Sequence, residues 1–220
     1  MAKAHYISNK NETVRLFKNN FLEYFSHIHP ATPVVVFSPV IIATAYLGFR
    51  SIGILSSALF FVIGILLWTI TEYTIHRWAF HIEPKTETGK KMHFLVHGVH
   101  HGYPRDRTRL VMPLLVSLPL ATMFYFLYTW IFGVYHFSVF SGFVLGYVSY
   151  DSIHYATHHW PMKGKIGSWL RVYHLRHHYE DEHTAYGVSN PLWDYIFRTV
   201  PAYLLEEKQI NEIEKPVGQK

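Results

Sequence analysis

Ten of the seventeen histidines in this 220-residue chain recur at spacings that suit metal ligands. His76 and His81 form H-x-x-x-x-H, and His97, His100 and His101 form H-x-x-H-H. His154 and His158 form H-x-x-x-H, and His174, His177 and His178 repeat H-x-x-H-H. Imidazole is the commonest metal ligand and the usual proton carrier near neutral pH. Residues three and four apart share a helix face, so the rings within each of the last three clusters can aim at one point. His76 and His81, five apart, converge only around a helix end or bend. A structural zinc takes about four ligands and a catalytic one about three, so ten histidines overfill a mononuclear site and suit two metals. Nitrogen-only ligation favours iron, zinc, copper or nickel over magnesium or calcium. The chain has no cysteine, which excludes disulfides, thiolate zinc sites, iron-sulfur clusters and thiol nucleophiles.

The elements that must carry these residues read as membrane helices. Half the chain is hydrophobic and only 16% is charged, and the modest mean hydropathy of +0.07 hides a segregation. Residues 51–71 hold no charge and are close to the roughly 20 that a crossing helix needs. Residues 34–49 form a shorter apolar run after Pro30 and Pro33, split from the next only by Arg50. Residues 110–150 again lack Asp, Glu, Lys and Arg, which suits two crossings with a turn near Gly133 to His136. The expected fold is an all-α integral membrane protein with four transmembrane helices in two hairpins, capped by a cytoplasmic helical layer that holds a histidine-rich dimetal site. The expected divisions are an N-terminal arm at 1–33, a membrane-embedded unit at 34–202 and a polar tail at 203–220. Trp68, Tyr128, Trp130 and Trp160 fall near the expected span ends, where aromatic rings favour the headgroup zone.

Every Lys and Arg except Arg50 lies in the polar blocks, so the positive-inside rule puts both termini and the histidine clusters on the cytoplasmic side. The pI of about 9.2 then reports orientation and anionic lipid contact rather than nucleic acid. The polar first 23 residues argue against a cleavable signal peptide. Among the metals, iron explains a site at a membrane surface, because a reduced pair can activate dioxygen for attack on an unactivated C-H bond. Zinc hydrolysis lacks an H-E-x-x-H base and a carboxylate-rich ligand set here. Asp151 shares a face with His154, and Glu72 lies one turn before His76, so each can accept an N-H from a ligand imidazole. His159 points elsewhere on a helix and is at most a supporting residue. His5, His27, His29, His93, His136 and His183 read as surface or interfacial.

In their order, separated by a hydrophobic hairpin, these clusters resemble those of the fatty acid hydroxylase superfamily, and within it the fatty acid 2-hydroxylases. The likeness spans roughly Gly64 to Pro201. It rests on Glu72-Tyr73-Thr74-Ile75-His76-Arg77, His97-Gly98-Val99-His100-His101, Gly146-Tyr147-Val148-Ser149-Tyr150-Asp151, Tyr173-His174-Leu175-Arg176-His177-His178 and the stretch Tyr186 to Phe197. The resemblance implies an oxygen-dependent hydroxylase acting at C2 of a long fatty acyl chain, free or sphingolipid-linked. Its two ions would be iron, with zinc able to replace it in a purified form. It further implies His76, His81, His97, His101 and His177 on one metal, and His100, His154, His158, His174 and His178 on the other.

Longer members carry a haem-binding His-Pro-Gly-Gly where this chain has His29-Pro30-Ala31-Thr32. No Rossmann glycine pattern is present, so electrons are expected from a separate donor such as a cytochrome b5 or a ferredoxin with its reductase. Arg77, Tyr150, Arg171, Arg176 and Tyr179 are candidates to place the carboxyl or headgroup. The alternatives are a sterol or carotenoid hydroxylase or desaturase of the same superfamily, and, from another class, a membrane metal transporter. Transport ligands belong near mid-membrane, whereas these histidines lie outside the charge-free runs. No dilysine or K-D-E-L signal stands in Glu214 to Lys220, which fits a bacterial cytoplasmic membrane slightly better than the endoplasmic reticulum.

Overall fold

The structure is a computed structural model that describes residues 7, 8 and 10–204. His5 and nearly all of the expected tail at 203–220 lie outside the described residues. The described chain is helical: α1 (Asn20–Phe25), α2 (Thr32–Ile52), α3 (Ile54–Thr74), α4 (Glu87–His93), α5 (Val99–Gly102), α6 (Leu114–Phe132), α7 (His136–His159), α8 (Lys165–Tyr179) and α9 (Leu192–Phe197). Two π-helical turns, Ile75–Phe80 and Phe94–Gly98, and a 3-10 turn, Gly133–Tyr135, complete it.

Three segments are long and apolar enough to cross a membrane: Thr32–Ile52, Ile54–Phe80 and Leu114–His159. The third is 46 residues long and contains both α6 and α7, broken where Gly133 takes φ +51°. Pro33 starts α2 at a position where a missing N-H costs nothing. The break between α2 and α3 falls at Gly53, with φ +77°, and not at Arg50, which remains inside α2. A left-handed φ is one that glycine adopts without penalty, so a single residue ends one helix and starts the next.

Contacts fix the directions of these helices. Ser57 bonds Ser138, Phe61 abuts Gly142 and Trp68 packs on Gly146, so α3 and α7 run parallel. Ser141 donates to the Ile41 carbonyl and Phe37 meets Tyr147 edge-on, so α2 runs antiparallel to α7. Phe124 meets Phe143, and Tyr125 meets Phe140, which sets α6 antiparallel to α7 as well. The breaks at Gly53 and Gly133 therefore lie at one end, and the histidine-bearing ends of α3 and α7 lie together at the other.

Helix α7 is buried along most of its length, whereas α2, α3 and α6 turn Val35, Ile42, Leu55, Leu59, Phe126 and Trp130 outward at 60–83% exposure. An outer apolar surface of this extent suits lipid, not water. Trp68 and Tyr128 depart from the expectation, because both are buried in the α3–α6–α7 core. Gly146 leaves room for the Trp68 ring, and Tyr128 meets the Phe143 ring edge-on. Trp130 and Trp160 are exposed.

The N-terminal arm is tied to the segment after α5. Ser8 N-H donates to the Gly102 carbonyl and Ile28 N-H to that of Thr108. Arg109 donates to the Val14 carbonyl and pairs with Glu23 at 2.7 Å. Partial burial pushes the Glu23 carboxyl up, but the Phe17 and Leu16 amides, His27 and Arg109 outweigh it and hold it at about 2, against 4.5 ordinarily. A carboxyl depressed on folding contributes stability that is whole above its unfolded value and drains away as pH falls through the folded one. Glu23→Gln is thus expected to lower the melting temperature near neutral pH, with the gap to the parent closing between pH 4.5 and about 2. A gap independent of pH in melting scans of the detergent-solubilised protein would contradict this.

Candidate metal centre

The ten clustered histidines meet beyond the ends of α3 and α7. They form two groups: His76, His81, His97, His101 and His177, and His100, His154, His158, His174 and His178. Within each, one nitrogen per ring lies within 4.8 Å of all the others. The face argument made from spacing fails for both H-x-x-H-H clusters. His97 and His101 join the first group while His100 turns to the second; likewise His174 and His178 part from His177. One α-helical turn thus presents rings to both sides of a shared wall.

The pair His76 and His81 converges through a π-helical turn over Ile75–Phe80, with His81 at its end. Such wide single turns interrupt an α-helix where a side chain must be re-aimed. A second π turn, Phe94–Gly98, carries His97. Because α3 continues into this turn and α7 runs nine residues past Tyr150, His76, His154 and His158 sit on the apolar helices' own extensions.

The rings are oriented so that lone pairs meet. His76 Nδ1-H donates to the Tyr186 carbonyl at 2.5 Å and His177 Nδ1-H to that of Thr184 at 2.6 Å. A carbonyl only accepts, so the Nε2 atoms of both rings carry lone pairs. Both nevertheless point at His81 Nε2, at 3.2 and 3.1 Å, and His97 Nε2 lies 3.2 Å from the same atom. His81 offers at most one N-H to this cluster of nitrogens, whereas a cation at their focus can bind all of them. In the second group His154 and His100 Nε2 are 2.8 Å apart, and His158 and His178 approach His174 at 2.9 and 3.1 Å. Burial, reinforced by neighbouring imidazoles, holds His81, His97, His100, His174, His177 and His178 below the ordinary histidine range. The rings are therefore neutral and able to ligate at physiological pH. The donor set fits two borderline cations such as iron or zinc.

The carboxylates do something other than expected. Among the described residues Glu72 bonds no imidazole; its Oε1 accepts the Val188 and Ser189 amides at 2.8 Å each, and Oε2 accepts the Ser189 hydroxyl. It anchors the segment whose Tyr186 carbonyl orients His76. Asp151 is buried but faces the Tyr147 hydroxyl and the Met112 amide, and His154 Nδ1 meets no acceptor among the described residues. A carboxylate three residues before a histidine on α7 here meets a tyrosine one turn back on the same helix and the loop before α6 rather than the ring. His159 bonds no ligand either; it lies by Tyr155 in a polar recess with Asn11, Arg105 and Arg107.

Of the headgroup candidates, Arg77 donates to the Tyr73 hydroxyl, Tyr150 is buried, and Arg176 lies over the Tyr203 ring. Sequence reasoning missed Asp194, which accepts the Tyr186 and Gly187 amides at 2.9 and 2.8 Å. The available signal was a lone carboxylate inside Pro191-Leu192-Trp193-Asp194-Tyr195-Ile196-Phe197. The two orienting carbonyls had no signal, since backbone groups leave no residue type behind.

The fold and the site together define an all-helical membrane protein with two buried histidine groups able to hold metal ions. The fatty acid hydroxylase family model matches residues 61–199, and the chain belongs to that family. It is 34% identical to a dihydroceramide fatty acyl 2-hydroxylase of Arabidopsis thaliana over 86% of this chain and 81% of the relative. It is 40% identical to a ceramide very long chain fatty acid hydroxylase of Schizosaccharomyces pombe over 69% of this chain and 45% of that one. The fatty acid 2-hydroxylase of Mus musculus is 32% identical over 85% and 56%, so the chain spans about half the length of its fungal and mammalian relatives. A solved structure described as full-length scs7p, with only the hydroxylase domain visible, superposes with a TM-score of 0.79 at 33% identity, covering 83% of this chain and 70% of that one.

Proposed function

We propose that this protein is a membrane-embedded hydroxylase that replaces a hydrogen at C2 of a long fatty acyl chain, free or sphingolipid-linked, by hydroxyl. The observation that carries this reading is the pair of buried five-histidine groups beside an apolar cleft. The relatives' activities, 2-hydroxylation of fatty acyl groups by name, support it. In this reading each group holds one iron, and the pair supplies dioxygen activation when bound. One dioxygen, two electrons and two protons then yield the alcohol and one water, with the electrons drawn from a separate cytochrome b5-like or ferredoxin donor.

The chain's own residues bind, shield and orient. A cleft between α3, α6 and α7, lined by Trp68, Ile75, Met112, Phe124, Phe143 and Tyr147, offers an acyl chain an apolar path whose lining includes Ile75, the residue before His76. Its walls exclude water from the reacting carbon. We read α2, α3, α6 and α7 as four crossings in two hairpins within residues 34–202. Their turns at Gly53 and Gly133 would lie on the far side, and the cap and both termini in the cytoplasm of a bacterial cell or facing it from the endoplasmic reticulum. All basic residues but Arg50 fall in the polar blocks outside the apolar runs, which supports that orientation.

The test is mass spectrometry of hydrolysed lipids from cells expressing the chain with a working electron donor under labelled dioxygen, beside His177→Ala. Labelled 2-hydroxy fatty acids from the parent alone are the expected result. Their absence from cells holding folded, iron-loaded protein would overturn the fatty acyl assignment in favour of a sterol or carotenoid.

A further inference from the structure

The two histidine groups are held by different means. In the first, His76 and His177 give their Nδ1-H groups to the Tyr186 and Thr184 carbonyls. In the second, the Nδ1 atoms of His100, His154, His174 and His178 are buried without an acceptor among the described residues. Both orienting carbonyls belong to one short segment, residues 184–190, and that segment is gripped by two buried carboxylates from different helices. Glu72, on α3, takes the Val188 and Ser189 amides and the Ser189 hydroxyl. Asp194, on α9, takes the Tyr186 and Gly187 amides, and the Thr199 hydroxyl at 2.7 Å. Ala185 between the two carbonyls stands at φ +57°, a conformation an alanine keeps only when its surroundings impose it.

Glu72 and Asp194 are 3% and 0% exposed, and the groups that donate to them are neutral backbone N-H and side-chain O-H groups. An imidazole ligates as a neutral ring, so a pair of divalent cations held by histidines alone would bring positive charge that no ligand offsets. A carboxylate polarises the amides it binds. Asp194 binds the Gly187 amide, whose peptide group carries the Tyr186 carbonyl, and so strengthens the acceptor of the His76 N-H and raises the basicity of the opposite nitrogen, while the Tyr186, Val188 and Ser189 amides held by the two carboxylates fix where the segment sits.

We propose that Glu72 and Asp194 are positioning residues for the first histidine group alone, acting through the 184–190 segment, and that the two metal sites are inequivalent for this reason. The proposal rests on the reading that each group holds a metal ion. Cobalt(II) titration of the full-length purified chain, followed by visible absorption and by metal counting, tests it. The parent is expected to bind two ions per chain. Asp194→Asn, which sets an amide N-H against a backbone N-H, should weaken one site about 10–100-fold and leave the other unchanged. Glu72→Ala should do the same, and Glu72→Gln, which keeps an acceptor for both amides, should restore most of the loss.

Identity of the affected group comes from combination. His100→Ala removes a ligand of the second group, so Asp194→Asn with His100→Ala should hold almost no cobalt. If the double variant keeps the one ion of either single variant, both changes strike the same group and the proposal is overturned. It is also overturned if folded Asp194→Asn and Glu72→Ala bind two ions as the parent does, or if both sites weaken equally. A folded parent that binds no cobalt would instead sink the metal reading itself, and this proposal with it.

Discussion

His100→Ala is expected to bring 2-hydroxylated lipid down to background, at least 100-fold, while the helical content stays that of the parent. Loss of even an outer partner of a metal ligand typically costs about 10–100-fold, and His100 is inside the group. Its ring lies 4.5 Å from those of His154 and His178 and 4.7 Å from that of His158. The rings of His97 and His101 in the first group stand farther off, at 5.8 and 5.9 Å, so removing His100 strikes the second group. Product assay and metal counting on the same preparation check the result. His183→Ala, exposed and outside both groups, serves as the control that leaves both readings at the parental level. Parental activity in His100→Ala would remove the second group from the chemistry.

The two histidine groups were largely legible because their residue type is rare, unlike anything the fold needs for packing, and clustered along the chain. Their division was not legible from helical faces. Two imidazoles on consecutive residues, such as His100 and His101, point about a quarter turn apart, and whether they share a focus depends on what surrounds the helix. The π turn through His76 was foreseen only as a bend, since no residue type marks a widened turn. Glu72 and Asp151 show a further limit. Spacing says which residues can share a face, but a backbone amide on a distant segment, such as Val188 or Ser189, competes for the same oxygen and leaves no trace in the sequence. The helix ends followed the apolar runs except where, as in α7, a polar functional stretch continues an apolar helix.

Gly142→Ala is expected to be the most damaging single substitution away from the histidines. A methyl there would stand 1.9 Å from the Phe61 carbonyl oxygen, and one at Gly64 would stand 2.0 Å from that of Val139. Both obstacles are backbone, so no rotamer change relieves them, and α3 and α7 must separate. Overpacking of this kind costs about 2–3 kcal/mol, which corresponds to a loss of roughly 4–12 °C in melting temperature for a chain of this size. Because α3 and α7 carry His76, His154 and His158, metal content should fall together with stability. Tryptophan fluorescence melting in detergent, with the outward-facing Leu59→Ala as a neutral control, measures the effect. An unchanged melting temperature for Gly142→Ala would mean that the two helices are not in backbone contact.

The parallel course of α3 and α7 has a consequence for where the chemistry takes place. From Gly53 to His76 and from Gly133 to His154 the helices rise by roughly 35 and 32 Å, a little more than the hydrocarbon thickness of a bilayer, about 30 Å. The histidine groups thus stand on two stilts of matched height, footed at the same side. In the proposed reading their depth relative to the opposite leaflet is set by residue count, and a thicker or thinner membrane would shift the headgroup plane past the histidine groups without altering one of them. Membrane thickness would thereby become a gauge of which part of a lipid is held level with them.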